Sequence, residues 1–81
     1  AFGQLVEDAI WYDKIVDDIK HINAKVIRVE IEANSKDLNN IIGHKKENIN
    51  KLKDTYAVIT TVKCNNKIKP GKFKINVLET A

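Results

Sequence analysis

Gly43-His44-Lys45-Lys46 is the stretch whose residue types could do chemistry, and that chemistry is the binding of an anion. The β-branched pair Ile41-Ile42 runs into a glycine, which supplies either a positive φ or room for another backbone to come close. The basic residues that follow make the turn attractive to negative charge. Ile49 and Leu52 then resume an amphipathic helical spacing, so the segment reads as helix, exposed turn, helix. Lys51 and Lys53 follow the turn, and Lys67, Lys69 and Lys72 fall in a later loop. The same lysines are also what a solvated face uses to keep a small domain dispersed, so charge alone does not choose between the two roles.

Other candidate groups point to no reaction. His21 and His44 lie far apart without paired cysteines or spaced carboxylates, which argues against zinc. Ser35 has no partner signature for nucleophilic attack. The neighbouring pairs Glu7-Asp8 and Asp17-Asp18 sit side by side along a helix and project in different directions. No enzyme and no cofactor is expected. His44 in an exposed turn could tune phosphate binding or simply be solvated, and His21 suits the end of an acidic helix when protonated.

The formal charge is +3, but it is divided unevenly. Residues 1–35 hold four Lys/Arg against seven Asp/Glu, a net of −3, and residues 36–81 hold ten Lys against four Asp/Glu, a net of +6. A lysine-rich second half suits phosphate, whereas an acidic first helix suits solvent or a protein neighbour. Abundant Lys, Asn and Ile can also reflect compositional drift alone. Cys64 is the single cysteine, which rules out an internal disulfide and fits a reducing cytoplasm. No apolar run reaches the roughly 18 residues of a membrane span, so a cytoplasmic protein without membrane attachment is expected. The chain starts at Ala1 and has no methionine, as expected of a piece cut from a longer protein.

One domain is predicted over residues 1–81, with an N-terminal helix over 5–22 and a core over 26–78. Leu5, Ala9, Tyr12, Val16, Ile19 and Ile22 follow the helical period, widened by Ile10, Trp11 and Ile15, and the acidic residues between them form a solvated face. Residues 25–33 alternate, with Ile27, Val29, Ile31 and Ala33 on the inner side. A short helix through Leu38 and Ile42 is stopped by Gly43, and a second begins at Glu47. Residues 55–63 are β-branched and predict a strand of undecided facing; Pro70-Gly71 turns the chain into a last strand around Phe73, Ile75 and Val77. The order is α-β-α-α-β-β.

The run from Val26 to Val62, 37 residues, resembles a K homology (KH) domain. That family's signature is an apolar pair, Gly-x-x-Gly, two residues, an apolar residue, two more and another apolar residue. Every apolar position and the first glycine match here. The resemblance implies an α+β fold with a three-stranded antiparallel sheet and helices packed on one face. Two strands after the paired helices resemble the type I arrangement, with helix 5–22 as a permuted counterpart of its final helix. It also implies a groove for single-stranded RNA or DNA, with the turn held against about four backbone nucleotides. By resemblance that groove uses Ile42, Gly43, His44, Lys45, Lys46, Ile49, Lys53 and Ile59, with Lys67, Lys69 and Lys72 from the later loop.

The departure is Lys46, which stands at the second glycine position. A positive φ there costs a lysine roughly 1 kcal/mol or more, and the side chain intrudes where a ligand backbone would approach. Its charge compensates through salt-screened attraction only. Binding is therefore expected to be weak, salt-dependent and little selective. The alternative is a KH-like fold used for protein interaction or regulation, with helix 5–22 docking on the rest of the parent protein. An unrelated α+β sandwich with the same local pattern is a third reading.

Overall fold

In the computed structural model, which describes residues 2–81 and side chains from Val6 onward, helix α1 covers Phe2–Lys20 and strand β1 Val26–Ala33. Helix α2 (Leu38–Ile42), a one-turn 3-10 segment (His44–Lys46) and helix α3 (Glu47–Tyr56) follow, then β2 (Ile59–Cys64) and β3 (Phe73–Thr80). The α+β class holds, with two long helices and a short α2. The order differs in detail from the expectation, because the turn is itself helical and α2 has only five residues.

Helix α1 begins earlier and ends sooner than predicted. After Lys20 the chain tightens, His21 N–H bonding back to the Asp17 and Asp18 carbonyls and Ile22 N–H to that of Ile19. The inward stripe is Asp8, Trp11, Ile15 and Val16, with Tyr12 and Ile19 half-buried. That is the i, i+3, i+4, i+7 spacing counted from Asp8. Ala9 and Ile10, assigned to the core from sequence, are exposed, and the expected packing of Leu5 lies outside the described side chains. Trp11 meets Phe73 edge-on, with ring centroids 5.7 Å apart at 65°. Such a pair contributes about 1 kcal/mol beyond burial and ties α1 to the start of β3.

The sheet runs β2-β1-β3, with β1 parallel to β2 and antiparallel to β3. The expected all-antiparallel sheet is corrected to a mixed one. The connection from β1 to β2 carries α2, the turn and α3, a crossover long enough to return the chain to the same end of the sheet. Alternating hydrophobicity reports strand facing and carries no information on direction, so the sequence pattern was compatible with either sheet. Val29, Ile31 and Ala33 face inward, and Val26 replaces Ile27 there because the β1–β3 register shifts on either side of Arg28. In β2 the inward side belongs to Thr60 and Val62, preceded by buried Val58. The strand starts at Ile59 and not at residue 55, since Thr55 and Tyr56 complete α3 and Ala57, at φ 55°, caps it.

Helix α2 is far too short to persist on hydrogen bonds alone. It is held by Ile41, 1% exposed, whose burial contributes about 2 kcal/mol, and by polar ties from its neighbours. Its position matters because it separates the two basic segments.

Candidate nucleic-acid interface

The turn between α2 and α3 has an unusual backbone. Gly43 lies at φ 84°, ψ 163°, a region open essentially to glycine alone. Lys45 (φ 53°) and Lys46 (φ 62°) both take left-handed values that lysine adopts at a cost. The strain expected at Lys46 is therefore present, and Lys45 adds a second instance.

The close approach anticipated at Gly43 is made by the protein itself. A Cβ there would lie 2.8 Å from the Asn48 backbone nitrogen and 3.0 Å from its side-chain Cγ. Gly43 is buried under the first turn of α3. Asn48, 2% exposed, donates from Nδ2 to the Asp8 carbonyl at 2.8 Å and to the Asn40 carbonyl at 3.0 Å, stitching α1, α2 and α3 together. The His44 N–H donates to Asp8 Oδ2 at 3.0 Å. The Lys46 N–H bonds the Gly43 carbonyl at 3.1 Å, and the Glu47 N–H bonds that of His44. Most of the turn's backbone donors are thus satisfied internally.

Its side chains are not. His44, Lys45 and Lys46 are all exposed. His44 and Lys45 open onto a hollow of about 430 Å³ along the outer flank of α3, shared with Glu47, Asn50, Lys51 and Asp54. Lys51 is committed there, to Glu47 at 3.5 Å and to the Tyr12 ring at 5.1 Å. Helical spacing puts Ile49 and Lys53 on the other flank of α3, away from this hollow. Ile42 and Ile49 are half-buried and Lys53 is exposed.

The second basic segment lies at the opposite end of α2 from the turn. The β2–β3 connection crosses the carboxyl end of β1: Asn65 N–H bonds the Ala33 carbonyl at 2.8 Å, and Asn34 Nδ2 the Ile68 carbonyl at 3.1 Å. Ser35 N–H bonds Asn66 Oδ1 at 2.9 Å, and Gly71 N–H bonds Asp37 Oδ2 at 2.8 Å. Lys67, Lys69 and Lys72 are exposed on this fastened loop beside the start of α2, while Lys45 and Lys46 lie past its end. Five helical residues rise about 7 Å, so α2 sets a short axial spacing between the two basic segments. Among the described residues, none of Lys45, Lys46, Lys53, Lys67, Lys69 and Lys72 forms a salt bridge.

Ile59 does not join them. It pairs with Arg28 on the sheet face turned away from the helices, is 39% exposed, and stands at the far end of α3 from the turn. The β2 residues on the helix side are Thr60 and Val62, opposite Val29 and Ile31. Asp8 and Asn48 are the residues that sequence reasoning missed. Both are in phase with buried helical neighbours, Asp8 with Trp11 and Ile15 and Asn48 with Leu52, and that periodicity was the signal available.

Among the described residues no helix is long and apolar enough to cross a membrane. Comparison of the chain with protein-family models, with curated proteins and with solved structures finds no match.

Proposed function

We propose that this chain is a KH-like module that binds single-stranded RNA, or single-stranded DNA, weakly and in a salt-dependent way. The observation that carries the reading is the placement at the two ends of α2 of two exposed lysine groups, Lys45-Lys46 and Lys67-Lys69-Lys72, none of which forms a salt bridge among the described residues, with half-buried Ile42 and Ile49 nearby. Contact is through lysine side chains, because Gly43 is covered and the His44 amide is already engaged. The parallel β1–β2 pair departs from the antiparallel sheet of the type I resemblance, so the reading rests on the turn and its charges. Short single-stranded oligonucleotides added to the labelled protein at low salt should shift the amides of Lys45, Lys46 and Lys69, with affinity falling steeply as salt rises. An absence of shifts at all three overturns the reading.

One observation favours a second reading, a protein-interaction or regulatory role. Val6 and Ile10, one helical turn apart on the outer side of α1, are 45% and 50% exposed, although Trp11 beside them is buried. A Val6→Asp, Ile10→Asp pair that leaves folding intact and abolishes association with the parent protein supports this role; unchanged association excludes it.

A further inference from the structure

The contact between Asp8 and His44 is unusual in what it uses. A carboxylate oxygen on α1 accepts the backbone N–H at the apex of the turn at 3.0 Å, the pairing a phosphate oxygen would make with the same donor. Asp8 is 4% exposed, and its second oxygen, Oδ1, is buried with no hydrogen-bond partner among the described residues. An asparagine could also accept from His44, through a weaker neutral hydrogen bond and without a buried, half-satisfied charge. The charge is therefore costly to the fold, and the turn's hydrogen bond does not require it.

We propose that Asp8 is a specificity-determining residue, an internal anion that occupies the phosphate position at the His44 amide and repels phosphate from it. This deepens the nucleic-acid reading and rests on it: Asp8 sets the low affinity and shifts contact from the turn backbone to the lysine side chains. Gly43, Lys45 and Lys46 all take positive φ in this turn, and the Asp8 carboxylate holds the His44 N–H there. At an effective dielectric of about 20, removing one negative charge roughly 10 Å from a phosphate strengthens binding on the order of tenfold.

The test is Asp8→Asn, which keeps an oxygen for the His44 N–H and removes the charge. A short oligouridylate at low salt is expected to bind the variant roughly tenfold tighter than the parent. Lost packing would weaken binding, so the direction separates a charge effect from a structural one, and unchanged or weaker affinity overturns the proposal. A second measurement needs no variant. Inorganic sulfate titrated into the labelled parent protein should shift the Lys45 and Lys46 amides and leave that of His44 in place. A His44 shift equal to theirs overturns the proposal. Failure of the parent to bind oligouridylate removes the functional reading, while the sulfate response still decides the role of Asp8.

Discussion

Gly43 and Asn48 are packed so closely that a methyl group on the first would lie 2.8 Å from the backbone nitrogen of the second. The constraint is doubled by the glycine's φ of 84°. Gly43→Ala must therefore both move α3 and enter a conformation closed to alanine. We expect a loss of about 3 kcal/mol, measured by urea unfolding. A cost under about 1 kcal/mol would mean that the turn relaxes freely.

Lys46→Gly tests the opposite case. Lys46 sits at φ 62°, ψ 26°, where glycine relieves about 1–2 kcal/mol of strain and gives back roughly half of it through unfolded-chain entropy. The expected result is a gain of about 0.5–1 kcal/mol in denaturant unfolding. If the chain binds as proposed, the same substitution also removes a phosphate contact, and the slope of log affinity against log salt should shrink by about 0.7. Stability and salt dependence thus move in different directions in one variant. A stability gain with an unchanged salt slope would place Lys46 outside the interface.

How much of this was legible in sequence depends on which forces were local. The α1 period, the alternation of β1 and the glycine at 43 reflect neighbours within a few residues, and each element is found close to where the pattern put it. Sheet direction was not legible, because it is fixed by where the crossover returns the chain. The roles of Asp8 and Asn48 were hidden for a related reason. Their partners lie 36 and 40 residues away, and polar residues in phase with a core stripe look solvated until those partners are in place. Ile59 shows the converse: the family resemblance put it in the groove, but strand facing turned it to the open side of the sheet.

The charged ends of the fold give a pH prediction with two limbs. The Asn76 amide at 2.6 Å, with Asn65 and nearby Lys63 and Lys74, holds the Glu32 carboxyl below the ordinary glutamate range. A lowered folded value means that its contribution is present above the unfolded value and is lost as pH falls through the folded one. His21 is raised, first by its hydrogen bond to the Asp17 carbonyl and then by the Asp17 carboxylate. Its contribution is complete below the ordinary histidine value and disappears as pH rises through the raised one. Asn76→Ala should bring Glu32 back toward the ordinary range. Asp17→Asn should leave most of the His21 shift, because the carbonyl remains. Side-chain NMR titration checks both, and full reversion of His21 in Asp17→Asn would assign its shift to the carboxylate instead.

Thr60 offers a route to a more stable domain without touching the lysines. It is 7% exposed on the inner side of β2, level with Val29 in the register, and its hydroxyl is buried with no hydrogen-bond partner among the described residues. A hydroxyl in that state costs about 1–2 kcal/mol relative to a methyl group of nearly the same shape, since water is lost and nothing replaces it. Valine also suits a strand. Thr60→Val should raise stability by about 1 kcal/mol, which for a domain of this size is a rise of about 4–8 °C in Tm. Because Thr60 is buried and the substitution changes no exposed lysine, oligonucleotide affinity should stay constant. A fall in Tm would show that the hydroxyl has a partner in solution, a bridging water being the candidate that fits a polar site.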